Sequence, residues 1–239
     1  MSTIQGGQGN IITNGLVLNL DAANPRSYDY PYNGLTWRDL SGNGNNGTLV
    51  NGVGYSSSNG GSLVFDGTND YVNLGNTINF SNYTNGFTIS FWVKLNSLGQ
   101  LQRYLFSKRN TGGADNQFSV VYGYVSNTYE LYAATQASGG ANQNIRTNSQ
   151  IVVNDLNWHN LTYVVGTTTI GYLDGVVRFT NTYPSLTFVS STNMNTICSF
   201  NISQNLLNSN VSSVRLYNYT FSTSEVLQNF NATRARFGV

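Results

Sequence analysis

The chain has 239 residues, a formal net charge of +1 and only 9% charged residues, while glycine (25 residues) and aromatic residues (13%) are plentiful. A single all-β domain commonly runs to roughly 200–250 residues, so this length and composition predict one β-rich domain with a large core. Nucleic-acid binding needs clustered Lys and Arg, and because the sequence has no basic run we expect no nucleic-acid partner.

The chain opens with a Gly- and Gln-rich segment at residues 1–14, which predicts a flexible arm in front of a single domain at residues 15–239. The arm either docks on a neighbouring subunit or forms a poorly ordered terminus, and the sequence leaves both alternatives open. Its first residues lack the basic and apolar regions of a signal peptide, so we expect synthesis in the cytoplasm without export. No apolar run approaches the roughly 18–20 residues of a membrane span, and none is expected.

Alternating apolar and polar residues predict most of the strands. The clearest is Phe87–Leu95, in which five large apolar side chains point to one face, each stabilising the fold by roughly 1.5–3 kcal/mol when buried. Trp92 points to the other face, which is therefore either covered as well or a contact surface. An Asp-Gly pair at residues 174–175 predicts a tight hairpin. Further strands are predicted at residues 16–20, 36–40, 48–50, 62–66, 71–74, 103–107, 118–124, 129–134, 158–165, 169–173, 176–180 and 211–217. Such a series of short strands is typical of a sandwich or a barrel.

After the first strand, residues 21–46 form a long irregular segment that contains two prolines and several tyrosines. Segments of this length without regular structure are uncommon unless they pack on the domain or carry function. We expect Trp37 and Leu40 to pin this segment to the sandwich.

The end of the chain changes to a helical pattern. Ser222 and Glu225 have the spacing of a capping box, which predicts one short C-terminal helix at about residues 222–234. Arg234 and Arg236 then fall at the helix C-terminus, where the helix dipole favours cations.

The turn with the sequence FDGTNDY carries the best candidate for a metal site. Asp66, Asn69 and Asp70 offer the oxygen ligands that Ca²⁺ prefers, and Asp21 or Asp174 could reach in from elsewhere. The same side chains also suit a turn in which the carboxylates accept hydrogen bonds from their own loop amides. Both interpretations are open. The sequence requires no cofactor, and calcium is the one inorganic ligand to test.

Several motifs in this order resemble the concanavalin A-like lectin/glucanase superfamily, and among its members the laminin-G-like jelly roll. They are FDGTNDY, FTISFWVK, the Trp-His pair, GYLDG and VRLYN followed by a capped helix. The resemblance covers about residue 16 to the end of the chain. It implies an all-β fold, a two-sheet antiparallel β-sandwich of jelly-roll type with one short C-terminal helix.

The two ends of the chain resemble a narrower group of such domains in structural proteins of tailed phages. The segments that carry this likeness are LVLNLDAANPRSYDYP, TWRDLSGNGNNGTL and SEVLQNFNATRARFG. The resemblance implies a place on a virion surface. One departure is that Ser212 and Ser213 stand where members usually carry an acidic pair, so any role of those acids is in doubt here.

The sequence contains few residues that could carry enzymatic chemistry. Glycoside hydrolysis needs two carboxylates beside a sugar, and the only glutamates are Glu130 and the capping Glu225. His159 is the only histidine and has no nucleophile motif, which favours a hydrogen-bonded structural role. Cys198 is the only cysteine and is expected to be a small buried hydrophobe, so metal clusters of His and Cys are excluded by count. We therefore predict that the protein is not an enzyme.

Carbohydrate binding would need exposed aromatic rings beside polar groups. The candidates for a glycan site are Tyr122, Tyr124, Asn127, Tyr129 and Tyr132, in which tyrosines alternate along neighbouring strands. Alternating tyrosines are also ordinary core residues of a sandwich, and this alternative is open.

The sequence thus favours a non-enzymatic virion protein that decorates a capsid or belongs to a neck, tail or fibre. It would contact other virion proteins, as a homo-oligomer or in many copies on a lattice, and its location would be the virion. The alternative from another class is a lectin-type adhesion module that recognises a host surface glycan.

Overall fold

The structure is a computed structural model that describes residues 10–32, 34–108, 118–123, 127–136, 142–144, 150–182, 188, 190–200 and 204–239. Within these residues the regular secondary structure consists mostly of strands. In chain order they are β1 (Leu16–Asp21), β2 (Thr36–Trp37), β3 (Gly47–Val50), β4 (Gly54–Ser56), β5 (Ser62–Asp66), β6 (Tyr71–Asn73), β7 (Phe87–Leu95), β8 (Arg103–Lys108), β9 (Phe118–Tyr122), β10 (Thr128–Gln136), β11 (Asn142–Asn144), β12 (Gln150–Val152), β13 (Trp158–Val165), β14 (Thr168–Leu173), β15 (Val176–Thr182), β16 (Thr196–Ile197) and β17 (Asn208–Tyr217).

The described strands form two antiparallel sheets that stack as a β-sandwich. An eight-stranded sheet has the order β15-β14-β13-β7-β17-β5-β4, with β1 also paired to β17. A nine-stranded sheet has the order β11-β10-β9-β8-β16-β6-β3-β2, with β12 also paired to β10. The predicted all-β sandwich of jelly-roll type is therefore confirmed.

The core lies between the sheets and is supplied by alternate residues of the strands. The face of β7 predicted to be buried is at most 2% exposed, and all of its five apolar residues belong to one hydrophobic cluster. Trp37 is fully buried in the same cluster, as predicted for the anchor of the long segment after β1. Cys198 is fully buried there too, which confirms its expected role.

The other face of the eight-stranded sheet is covered by the C-terminal residues. Trp92 stacks on Phe237 with ring centroids 3.9 Å apart, and Phe230 lies on the same side with its centroid 5.9 Å from Trp92. Trp158 packs against Phe237 at 5.0 Å. Both faces of β7 are thus covered at Trp92. Of the two alternatives for this residue, a covered face is therefore the correct one and a contact surface is not.

One α-helix closes the chain, α1 (Thr223–Thr233), with 3₁₀ turns at Ser58–Gly60, Phe80–Asn82 and Arg234–Arg236. The predicted capping box is present, because the Ser222 amide donates to Glu225 Oε2 (2.7 Å) and the Ser222 hydroxyl accepts from the Glu225 amide. The α-helix ends at Thr233, with Arg234 as its C-cap and Arg236 in the 3₁₀ turn that continues it, so both arginines lie at the helix C-terminus as predicted. No helix among the described residues is long and apolar enough to cross a membrane.

The described part of the predicted N-terminal arm, residues 10–14, lies against α1. The Ile12 amide donates to Asn229 Oδ1 (2.7 Å), and Gln228 Nε2 donates to the Asn10 carbonyl (2.9 Å). Ile12 also packs on a second apolar cluster around Tyr217. These residues are therefore docked on the sandwich of their own chain.

The aromatic stack at the C-terminus should carry a large share of the stability of the eight-stranded sheet. Phe237→Ala removes the ring that covers Trp92, and we expect the free energy of unfolding to fall by about 3 kcal/mol. Urea unfolding followed by tryptophan fluorescence measures the change. Val239→Ala is the matched control, because Val239 is 43% exposed and its truncation should cost less than about 0.5 kcal/mol. Equal stability of the two variants would contradict the packing role of Phe237.

Candidate functional site

The FDGTNDY turn between β5 and β6 is held by its own carboxylates. Asp66 Oδ1 accepts a hydrogen bond from the Thr68 amide (2.7 Å), and Asp70 Oδ2 accepts one from the Asp66 amide (3.3 Å). The Thr68 hydrogen bond lowers the pKa of Asp66, whereas burial raises the pKa of Asp70. Asn69 is exposed, and its carbonyl accepts from Asn51 Nδ2. This geometry is that of a self-bonded turn.

The more distant acids do not complete a cation site at this turn. Asp21 pairs with arginines, and Asp174 pairs with His159. Within the described parts of the chain, no three acidic, histidine or cysteine side chains gather as a metal cluster. The suggestion that Asp21 or Asp174 reaches toward Asp66 and Asp70 is therefore corrected, and calcium binding by the turn alone stays a prediction.

Two of the tyrosines in the candidate glycan site are buried. Tyr122 and Tyr129 are at most 1% exposed, with ring centroids 4.8 Å apart in the core. Asn127 Oδ1 accepts from the Tyr122 hydroxyl (3.2 Å). Of the two alternatives for these two rings, the structure supports the core residue, because Tyr122 and Tyr129 belong to the hydrophobic cluster between the sheets. Tyr124 and the side chain of Tyr132 lie outside the described residues.

His159 bridges two aspartates at the start of β13, an inner strand of the eight-stranded sheet. Its Nδ1 lies 2.8 Å from Asp174 Oδ2 and its Nε2 lies 2.9 Å from Asp155 Oδ1. Burial alone would lower the pKa of His159, but the hydrogen bonds to Asp174 and Asp155 outweigh it and raise the pKa above 6.5. The structural role expected for this residue agrees with the geometry.

Three charged side chains meet at the point where β17 changes its neighbour. Residues 208–211 of β17 pair with β5, and residues 213–217 pair with β1. Ser212 lies between these two ladders, and its carbonyl accepts from the Ala22 amide (2.8 Å). Asp21, at the end of β1, lies 3.3 Å from Arg215 Nη2 and 2.9 Å from Arg236 Nη1. The 3₁₀ turn after α1 brings Arg236 to this point.

Neutral groups supply the other partners of the two arginines. Arg236 Nη2 donates to Ser212 Oγ, and Arg215 Nη1 donates to Ser213 Oγ (3.4 Å). Arg215 Nε donates to Asn19 Oδ1 (3.2 Å). The two serines that replace the usual acidic pair therefore bind arginines without adding negative charge.

A cavity of about 730 Å³ opens beside these charges, and we call it the arginine groove. Its charged lining consists of Asp21, Arg215 and Arg236. The remaining lining residues are mostly small or polar: Asn10, Ile11, Thr13, Asn19, Asn24, Leu40, Ala232, Thr233 and Ala235. No sequence pattern indicated that these three charged residues lie together, because they come from opposite ends of the chain.

A second surface is formed by the ring pair Tyr30 and Tyr55, which packs on the buried Tyr28, and we call it the tyrosine patch. Tyr30 stacks on Tyr55 with ring centroids 4.7 Å apart and an interplanar angle of 15°. Tyr30 is 57% exposed and Tyr32 is 84% exposed. The many tyrosines in the segment after β1 were the only feature of the sequence that pointed to this surface. Composition alone does not tell whether such tyrosines pack against the domain or are exposed.

The tyrosine patch and the arginine groove meet at the turn before β5. Gly61 has φ +142°, and a Cβ at this position would lie 2.7 Å from Tyr55 Oη. At the preceding Gly60, a Cβ would lie 3.7 Å from Arg236 Nε. The two glycines thus let the tyrosine patch approach the groove closely.

The comparisons with known proteins agree with this fold. The family model of the concanavalin A-like lectin/glucanases superfamily, Laminin_G_3, matches residues 66–227, which is more than half of the chain. The chain therefore belongs to this family. No curated protein sequence gives a significant match.

Solved structures with the same fold include binding domains of toxins and a domain of a glycosidase. The binding domain of Paraclostridial Mosquitocidal Protein 1 is 16% identical with a TM-score of 0.70, covering 92% of this chain and 52% of that one. The binding domain of botulinum neurotoxin DC, in complex with rat synaptotagmin II, is 15% identical with a TM-score of 0.69, covering 93% and 52%.

A third similar structure is domain 4 of AbnA, an extracellular arabinanase from Geobacillus stearothermophilus, in complex with arabinotriose. It is 18% identical with a TM-score of 0.64, covering 90% of this chain and 97% of that one. The chain spans about half the length of the two toxin domains. At these identities the likeness establishes the fold alone.

The His159 bridge predicts how stability depends on pH. Because its folded pKa is raised, its contribution is fully present below the unfolded pKa of about 6.5 and is lost as the pH rises through the folded value. We expect the free energy of unfolding to decrease between about pH 6 and pH 8 in urea titrations. His159→Gln should flatten this slope, and a slope retained in that variant would contradict the assignment.

Because the carboxylates of the FDGTNDY turn already accept hydrogen bonds from its own amides, we expect calcium to change the stability of the protein little. Asp70→Ala should lower the free energy of unfolding by about 1 kcal/mol, because the Asp66 amide loses its acceptor. This loss should be the same with calcium as with a chelator, measured as melting temperature and urea midpoint. A calcium-dependent rise in melting temperature that Asp70→Ala abolishes would instead establish the turn as a cation site.

Proposed function

We propose that the protein is a non-enzymatic, lectin-type module that binds glycans through the tyrosine patch. The observation that carries this proposal is the exposed, stacked pair of rings. Tyr55 holds the plane of Tyr30, so that the outer face of Tyr30 is presented to solvent in a fixed orientation. A rigid aromatic ring with a polar tip loses little conformational entropy when a ligand covers it.

The hydrogen bonds and ion pairs that occupy Glu130, Glu225 and Asp21 support binding rather than hydrolysis. Glu225 is used by the helix cap, and Glu130 is 2% exposed and accepts from Gln150 Nε2 (3.3 Å). Neither glutamate is placed beside a second free carboxylate of the kind that glycoside hydrolysis requires. Asp21 is likewise occupied, because it is paired with arginines.

The similar structures support a binding role of this kind. Two of them are named as binding domains, and the arabinanase domain is in complex with arabinotriose. The botulinum neurotoxin domain is in complex with a protein, synaptotagmin II, so the same fold also serves protein contacts. We favour a glycan because the patch combines exposed rings with hydroxyl groups and few charges.

A place on a virion surface remains a proposal that the terminal sequence motifs support. It is compatible with a glycan-binding module, because adhesion to a host polysaccharide is one use of such a protein. Contacts with other virion proteins and assembly as a homo-oligomer belong to the same proposal. Locating the protein in intact particles by electron microscopy tests it.

The tyrosine patch gives a direct test of glycan binding. Tyr30→Ala should weaken binding to the glycans that the wild type selects on an array by about fivefold to 100-fold, because one stacked ring contributes about 1–3 kcal/mol. Isothermal titration with the selected oligosaccharide measures the change.

Two variants serve as controls for this test. Tyr30→Phe keeps the ring and should retain most of the affinity, while Leu101→Ala removes a side chain that is 74% exposed elsewhere. Wild-type protein that binds no glycan, or a Tyr30→Ala variant that binds as well as the wild type, would overturn the proposal.

A further inference from the structure

The arginine groove carries an uncompensated positive charge. Two guanidinium groups, from Arg215 and Arg236, share the single carboxylate of Asp21. Arg215 is only 5% exposed, so water screens its charge poorly. Among the residues that line the cavity no other side chain is charged, and the local balance is therefore one positive charge in excess.

The carboxylate of Asp39, which accepts from the Asn19 amide, is already committed to backbone amides. Asp39 accepts hydrogen bonds from the amides of Asn19 (2.9 Å), Ser41 (2.9 Å) and Asn45 (3.0 Å). It also accepts from the Ser41 hydroxyl (2.7 Å), and it does not line the groove. It holds the segment after β2 and does not form an ion pair with either arginine in the described contacts.

The two arginines also have N–H groups for which the described residues show no acceptor. A guanidinium has five N–H groups, and Arg215 uses three of them, toward Asn19, Ser213 and Asp21. Arg236 uses its Nε–H on the Asn59 carbonyl, donates from Nη1 to both Asp21 oxygens (2.9 and 3.1 Å), and donates from Nη2 to Ser212 Oγ. In the described surroundings Arg215 thus has two further N–H groups and Arg236 has one on Nη2 with which to bind an anion. Carboxylates match this donor geometry.

We infer that the arginine groove binds the carboxylate of an acidic saccharide. This inference rests on the proposed function and narrows it to a ligand class, sugars that carry a carboxylate. The groove accepts the carboxylate through the free N–H groups of Arg215 and Arg236, and its amide and hydroxyl lining serves the sugar hydroxyls. Its volume is within the roughly 300–1,000 Å³ of small-ligand sites.

The neighbouring tyrosine patch supplies the second half of this site. The patch and the groove are joined at Gly60 and Gly61, which separate Tyr55 from Arg236. In this inference one unit of the ligand stacks on Tyr30 while the carboxylate of another unit enters the groove. The tyrosine patch would then select ligands by the shape of the sugar ring, and the arginine groove would select them by charge.

The test uses pairs of oligosaccharides that differ only in charge. Oligogalacturonates, sialylated and glucuronate-containing oligosaccharides are each presented as the free acid and as the methyl ester. We expect the acid form of the selected sugar to bind about tenfold tighter than its ester, because a charge-assisted hydrogen bond is lost in the ester. Tyr30→Ala should weaken both forms by the same factor.

A variant with an added negative charge tests whether the preference for the acid form over the ester arises in the arginine groove. Asn24→Asp adds a negative charge to the lining and keeps the side-chain oxygen that accepts from the Arg26 amide (3.0 Å). We expect it to abolish the preference for the acid form. Thr180→Asp places the same charge on the exposed edge strand β15 and should leave the preference unchanged. A preference that survives Asn24→Asp would overturn the assignment to this groove.

A second measurement separates this inference from the proposed function. Sodium glucuronate, with glucose as the neutral control, is titrated while the side-chain Nε–H NMR signals of Arg215 and Arg236 are followed. Shifts with glucuronate alone support the groove even if no array glycan binds, an outcome that overturns only the proposed function. Acid and ester sugars bound equally, with no shift of the arginine signals, overturn the inference and leave the lectin function standing. No glycan binding together with no shift overturns both.

Discussion

The structure depends on the position of β17, which is the last strand of the chain and lies inside the eight-stranded sheet. It pairs with β7 along one edge, and on its other edge it pairs first with β5 and then with β1. An inner strand of the sheet is thus supplied by residues 208–217 of the 239, and most of its contacts are between residues far apart in sequence. This arrangement also brings Arg215 next to Asp21, and α1 and the turn after it back over Trp92.

Period-2 patterns predicted the long central strands well, since both faces of those strands are set by burial. Strands β7 and β13 have the predicted bounds, and the capping box placed the helix start at its observed position. The short strands β4, β11, β12 and β16 were missed, because two or three residues cannot display a period. Their position follows from pairing with neighbours, which local sequence does not encode.

The candidate sites were harder to predict than the fold, for a related physical reason. Alternation separates the two faces of a strand but does not say which face another layer covers, so the sequence left open whether Tyr122 and Tyr129 are surface or core residues, and they are core residues. Arg236 lies at the helix C-terminus as predicted, but no local pattern indicated its partner. The 3₁₀ turn after α1 lets Arg236 reach a carboxylate 215 residues away in sequence. Only the turn around Asp66 and Asp70 is local enough for sequence to have described its geometry.

The charges beside β17 are not explained by stability. Burying Arg215 carries a desolvation penalty that a single shared carboxylate offsets only in part, and apolar residues of similar volume often serve as well in such positions. The two guanidinium groups also repel each other across Asp21. A bound carboxylate would balance two positive with two negative charges and relieve that repulsion. Because a ligand of the folded state raises the free energy of unfolding, the arginine groove couples ligand binding to the stability of the strand junction on which the fold depends.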